Sequence, residues 1–94
     1  MNQIDQKNRP ELSPGVRLRK DPKTGEPILV FPEGVLFLNP TAHDIVRRCS
    51  GELNVADIIS DIAAEYEVAS AALGDDVLDC LLELKQRKLL RFLE

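Results

Sequence analysis

From Pro27 to Asn39 the chain reads Pro-Ile-Leu-Val-Phe-Pro-Glu-Gly-Val-Leu-Phe-Leu-Asn, and apart from the central Pro32-Glu33-Gly34 nearly every position is apolar. The turn formers divide it into two predicted strands, Ile28 to Phe31 and Val35 to Leu38, with Pro32 suited to position i+1 of the turn and Gly34 to i+3. Successive side chains of a strand point to opposite faces. Leu29, Phe31, Leu36 and Leu38 therefore share one face, and Ile28, Val30, Val35 and Phe37 the other. An antiparallel sheet with one solvated face would alternate apolar and polar residues, yet both faces here are apolar. Either the chain covers both, or part of the sheet is kept for a partner.

Upstream, Val16-Arg-Leu-Arg-Lys20 alternates, with Val16 and Leu18 on one face and Arg17 and Arg19 on the other, and predicts a short first strand. Asp21 to Gly25 is dense in turn formers and joins it to the second as a hairpin. Residues 1–11 are polar apart from Ile4 and bury too little to offset the cost of ordering. They are read as a flexible tail, leaving a single folded domain over residues 12–94.

Downstream the apolar period changes. Asn39 caps and Pro40 opens a helix, whose stripe Ala42, Ile45, Val46 and Cys49 has the i, i+3, i+4, i+7 spacing of a buried face. It runs to about Ser50, where Gly51 stops it. Asn54 caps a second helix with the stripe Val55, Ile58, Ile59, Ile62, Ala63 and Tyr66. Ser70 or Asp75 caps a third, reaching about Lys88; the choice turns on Gly74, which costs about 1 kcal/mol inside a helix. At about 100° per residue, Val77, Cys80, Leu81 and Leu84 form one arc and Leu78, Leu82 and Leu89 a second beside it. The two together span about 200°, against the roughly 100° of a helix lying on one core. Leu89 to Leu93 closes the chain as a short strand or helix tail. Three strands followed by three helices predict a small α+β domain of winged-helix type, with a three-stranded antiparallel sheet.

The net charge of −4 over 94 residues argues against nucleic acid, which is usually met by a basic patch or stripe. The run Lys85, Arg87, Lys88, Arg91 keeps a winged-helix DNA-binding regulator as the alternative. However, a DNA-reading helix contacts bases through its N-terminal part, and Asp75 and Asp76 make that part acidic. No apolar run reaches the roughly 18 residues of a membrane span, and Met1 to Pro14 has no apolar signal core; a cytoplasmic protein is expected. Cys49 and Cys80, at core spacings and without a framework pattern, are read as reduced thiols. His43 is the only histidine and faces away from Cys49, so no convergent set of three or four metal ligands exists. Neither catalysis, a metal nor a cofactor is expected. Asp57, Asp61, Glu65 and Glu67 read as a solvated helix face.

What the inventory does offer is a surplus of apolar surface on the third strand and on the second arc of the third helix. An extended peptide added at a sheet edge would use both, with main-chain bonds supplying affinity and side-chain pockets specificity. A homodimer, formed by strand exchange about the hairpin or Gly51, would use them too.

The residues that carry a family resemblance run through the same regions. Leu12-Ser-Pro-Gly-Val-Arg-Leu-Arg-Lys-Asp21, Ile28-Leu-Val-Phe-Pro-Glu33, Leu38-Asn39 with Ala42 and Ile45, Gly51-Glu-Leu-Asn-Val55, and Asp76-Val-Leu-Asp-Cys-Leu-Leu-Glu-Leu84 together resemble the PqqD family of pyrroloquinoline quinone biosynthesis. Lys88 departs from it, standing where the family often has Gly. The resemblance implies a non-catalytic peptide chaperone that binds the precursor peptide PqqA and presents it to the radical S-adenosylmethionine enzyme PqqE, which crosslinks a Glu and a Tyr of that peptide. It also implies that the peptide adds beside the third strand and lies against the third helix. On this chain Val35, Leu36, Phe37 and Leu38 would then supply the strand edge, and Leu78, Leu82, Lys85 and Asp75 the helix side.

Overall fold

The computed structural model describes residues 4–93. Strands β2 (Arg17–Lys20), β3 (Pro27–Phe31) and β4 (Gly34–Phe37) form a three-stranded antiparallel sheet in the order β2-β3-β4. Helices α1 (Pro40–Val46), α2 (Val55–Tyr66) and α3 (Ser70–Gln86) follow. A second ribbon, β1 (Arg9–Leu12) against β5 (Leu90–Leu93), ties the two ends of the chain together antiparallel. The expected three-stranded sheet and three helices are present, and the ribbon is an addition to them.

The ribbon corrects the reading of residues 1–11 as a tail. Residues 1–3 lie outside the described residues, but Arg9 to Glu11 belong to β1, Pro10 is fully buried, and Ile4 packs against the core. Hydropathy missed this segment because much of what it satisfies is backbone. The first N–H groups of a helix lack partners within it. Here Val55 donates to the Asn8 carbonyl at 3.0 Å and Ala56 to that of Gln6 at 3.1 Å. The next N–H group, of Asp57, goes to the Asn54 side chain at 2.8 Å, as the cap signal predicted.

The same demand shortens α1. Asn39 caps it through the Ala42 N–H at 2.7 Å, but the helix stops at Val46 rather than near Ser50. The chain must leave it to reach β1: Ser50 bridges Glu11, and the Gly51 N–H donates to the Pro10 carbonyl at 3.0 Å. Gly51 sits at φ 85°, and a Cβ there would lie 3.1 Å from Glu11 Oε1 and 3.2 Å from Leu93 Cδ1.

Helix α3 begins at Ser70, with Ala69 in the capping position and no side-chain cap bond, so neither Ser70 nor Asp75 caps it and Gly74 lies inside. Its other end closes in the left-handed manner. Lys88 takes φ 64°, its N–H donates to the Lys85 carbonyl at 2.9 Å, and that of Leu89 to Leu84 at 3.0 Å. Leu89 thereby returns to the core beside Leu84, the apolar contact that accompanies this closure. Tyr66 departs from its predicted stripe: it is exposed, and its hydroxyl donates to Asp44.

Leu29 of the sheet, Ile45 of α1, Val55, Ile58 and Ile62 of α2, and Val77 and Leu81 of α3 form a fully buried core. The domain is therefore a sheet laid over a helical layer, with α3 touching both other helices and β5.

Candidate functional site

Strand β4 has β3 on one side and, among the described residues, no strand on the other. Its register pairs Leu29 with Leu36, Val30 with Val35, and Ile28 with Phe37. The Leu38 N–H donates to the Pro27 carbonyl at 3.0 Å. Backbone groups of an antiparallel strand alternate in direction, so Gly34 and Leu36 also turn theirs to β3, while Val35 and Phe37 turn theirs to the open edge. That edge is the template a further strand needs.

The two apolar faces foreseen for this hairpin meet different fates. Leu29, at 0% exposure, and Leu38, at 8%, lie against the helices, with Leu36 half-buried beside them. On the outer face Val35 and Phe37 remain 51% and 53% exposed, in register rows with the exposed Arg17 and Arg19 of β2. Of the four predicted edge residues, Val35 and Phe37 thus offer both backbone and side chain. Leu36 offers a partly open side chain, and Leu38 belongs to the core.

A groove of about 210 Å³ runs beside this edge between β4 and α3. Leu36, Phe37 and Leu38 form one side, and Cys80, Glu83 and Leu84 of α3 the other. It adjoins a second depression of about 270 Å³, where Asp76, Asp79 and Cys80 face Asn39 and Ala42 at the start of α1. Burial pushes the Cys80 thiol up to about 11 and the Cys49 thiol up to about 12, so both are protonated and weakly nucleophilic at neutral pH. Both cysteines are free. The groove is thus apolar apart from Asn39 and Glu83, the latter ion-paired with Arg87, and has no activated nucleophile.

The helix residues expected beside β4 lie elsewhere. Asp75 and Leu78 face Gln6, Ala56 and Ile59 around a separate hollow, and the Lys85 ammonium stands 5.6 Å from the centre of the Phe92 ring on β5. Leu82 shares their flank of the helix, about half a turn of the wheel from Cys80. The structure does not bring Asp75, Leu78, Leu82 and Lys85 together with β4. On that flank Gln6 of the N-terminal segment lines the hollow with Leu78, and Phe92 of β5 meets Lys85. Cys80 and Glu83 take the place beside β4, Cys80 having been read as a core residue. The wheel alone gives α3 two flanks, and only the position of the sheet decides which of them meets β4.

The basic run considered for DNA is dispersed. Arg87 pairs with Glu83 at 3.2 Å, Arg91 with Glu11 at 2.6 Å, and Lys85 covers Phe92. Arg48 pairs with Glu65 at 2.9 Å, which clasps α1 to the acidic face of α2. Among the described residues no group of three His, Cys, Asp or Glu could hold a metal ion.

The family model for Coenzyme PQQ synthesis protein D matches residues 26–90, which span the hairpin, all three helices and the start of β5. The chain belongs to the PqqD family. Relatives extend the likeness to nearly the whole chain. A PqqA binding protein of Xanthomonas oryzae is 33% identical over 91 residues, covering 97% of this chain and 99% of that one. One from Rhizobium meliloti is 31% identical over 84 residues, covering 89% and 86%. Among solved structures, the PqqD truncation of Methylobacterium extorquens PqqCD, described as a stand-alone recognition element for ribosomally synthesized and modified peptides, superposes with a TM-score of 0.81 at 27% identity. That match covers 96% of each chain. PqqD from Xanthomonas campestris is 31% identical with a TM-score of 0.59, covering 95% of this chain and 99% of that one. The PqqD domain of M. extorquens is thus nearer in shape to this chain though lower in identity. The DNA-binding alternative gains no support from these relatives or from the dispersed charges.

Proposed function

We propose that this PqqD-family chain is a non-catalytic adaptor that binds a PqqA-like precursor peptide as an added strand on β4. The observation that carries the reading is the pairing of an open β4 edge, with the Val35 and Phe37 backbone groups turned outward, and an adjoining groove walled by Cys80 and Glu83 of α3. Main-chain bonds to the edge hold the peptide in register, and apolar contacts with Leu36, Phe37 and Leu84 select its side chains. Held in this way, the peptide reaches a radical S-adenosylmethionine enzyme of the PqqE type at raised effective concentration. The names of the relatives and the family membership support the peptide as ligand; delivery to such an enzyme extends that reading.

Calorimetric titration with a synthetic PqqA-type peptide tests it, with duplex DNA across a salt series as the competing ligand. The adaptor reading expects saturable peptide binding at micromolar or lower concentration and no salt-dependent DNA binding. Absence of peptide binding by the folded domain overturns it. Among the described residues no helix is long and apolar enough to cross a membrane.

A further inference from the structure

A larger cavity, about 500 Å³, lies under the turn end of the sheet, between Val16 and Phe31 and the end of α3 at Arg87, Lys88 and Leu89. Its helix side, Arg87 and Lys88, continues the α3 wall of the groove, while its sheet side is formed by Val16 and Phe31 with Pro32 and Glu33 of the turn. On the helix, Arg87 follows Glu83 by about one turn, roughly 5.4 Å, and the two are ion-paired at 3.2 Å. On the strand, Gly34 precedes Leu36 by two residues and shares its face about 7 Å further on. Gly34 is the register partner of Phe31, and nothing stands within 4 Å of where its Cβ would project. The last row of the sheet is therefore open on its β4 side.

Charge is sorted along this trough. Asp76 and Asp79 stand at one end and Glu83 beside the middle, whereas Arg87 and Lys88 stand at the cavity. Glu33, exposed on the turn, is the one carboxylate lining the cavity.

We propose that the trough between β4 and α3 accepts its peptide in one polarity. A cationic side chain lies against Asp76 and Asp79, the strand crosses Leu36, and a bulky apolar side chain enters the cavity beside a carboxylate that meets Lys88 and Arg87. This rests on the peptide-binding reading above and adds to it a direction and a second pocket. Same-face side chains of a strand are about 7 Å apart, so one extended segment fills groove and cavity in turn. The opposite polarity sets carboxylates against Asp76 and Asp79 and cations against Lys88. Such like-charge placement is how a site rejects a wrong ligand.

The test is an amide shift map of the full chain with a synthetic PqqA-type peptide, repeated with Lys88→Glu, Lys88→Arg and Lys88→Gly. The expected shifts extend from β4 and Cys80–Leu84 to Val16, Lys88 and Leu89. A nitroxide on the more acidic end of the peptide broadens Lys88 and Leu89 and spares Asp76 and Asp79. Lys88→Glu weakens binding about fivefold at low salt, the scale of one exposed charge pair, while Lys88→Arg binds like the wild type. Lys88→Gly relieves the left-handed backbone at φ 64° and so raises thermal stability while lowering affinity. A purely structural role for Lys88 would leave affinity unchanged in that variant. If the peptide binds with shifts confined to Val35–Leu38 and Asp76–Leu84, and the Lys88 variants bind like the wild type, the cavity plays no part and this proposal falls while the peptide-binding reading stands. If the folded wild type binds no peptide, both fall.

Discussion

Phe37 and Leu81 are both large apolar residues, and replacing each with Asp separates binding from folding. Leu81 is 0% exposed in the middle of α3. Leu81→Asp gives up about 1.5–3 kcal/mol of side-chain burial and adds the cost of a carboxylate in a dry core, several kcal/mol more. Against a total stability of about 5–15 kcal/mol for a domain, that change unfolds the protein or nearly so. Phe37 is 53% exposed on β4, so Phe37→Asp forfeits about half of a phenylalanine's burial, roughly 1 kcal/mol. The poor strand propensity of Asp adds up to about 1 kcal/mol. At about 4–8 °C per kcal/mol for a domain of this size, the melting temperature falls by about 5–15 °C and the domain stays folded at 20 °C. Peptide binding, by contrast, loses the apolar contact at the strand edge, and at least a tenfold weakening is expected, about 1.4 kcal/mol. Thermal unfolding by circular dichroism and calorimetric titration on the same samples measure both quantities. The reasoning is refuted if Phe37→Asp unfolds like Leu81→Asp, or if it stays folded and binds like the wild type.

Three further perturbations probe the geometry. Cys80→Arg places bulk and charge in the groove and abolishes peptide binding, whereas Leu82→Ala, on the opposite flank of α3, leaves affinity unchanged; the reverse result would move the site to the flank of Leu78 and Lys85. Gly51→Ala forces a Cβ against Glu11 and Leu93 at a left-handed φ of 85° and lowers stability by about 1–3 kcal/mol, seen in urea denaturation. Burial holds the Cys49 and Cys80 thiols protonated up to about 12 and about 11, against an ordinary value of 9.0. Between pH 9 and 12 the unfolded chain therefore releases protons that the folded chain keeps, and stability falls as pH rises. Cys49→Ala flattens that fall in denaturant midpoints measured across the window, and bound peptide protects Cys80 from alkylation.

Elements written in local chemistry were legible from the sequence. The caps at Asn39 and Asn54, the Pro32–Gly34 turn and the stripe of α2 all rest on interactions within a few residues. Two features depended on distant parts of the chain meeting and were not legible. The polar stretch before Leu12 orders because its carbonyls receive the N–H groups of α2 and Gly51, demands that no hydropathy pattern records. The strand half of the candidate site follows from the surplus of apolar residues between Ile28 and Leu38. The helix half did not follow, since Leu78 and Leu82 look as available as Cys80 and Leu84 until the sheet is seen to lie beside Cys80, Glu83 and Leu84. Lys88, the one departure noted from the family pattern, occupies the left-handed position that a glycine would take at lower cost.

The most direct test of strand addition is amide hydrogen exchange along β4 with and without a PqqA-type peptide. In the free domain the Val35 and Phe37 N–H groups face the open edge and exchange fast, while Leu36 and Leu38, bonded to β3, exchange slowly. The expected result is protection of Val35 and Phe37 on peptide binding, giving slow exchange at every position from Val35 to Leu38. Tight peptide binding with Val35 and Phe37 still exchanging fast would contradict strand addition at β4.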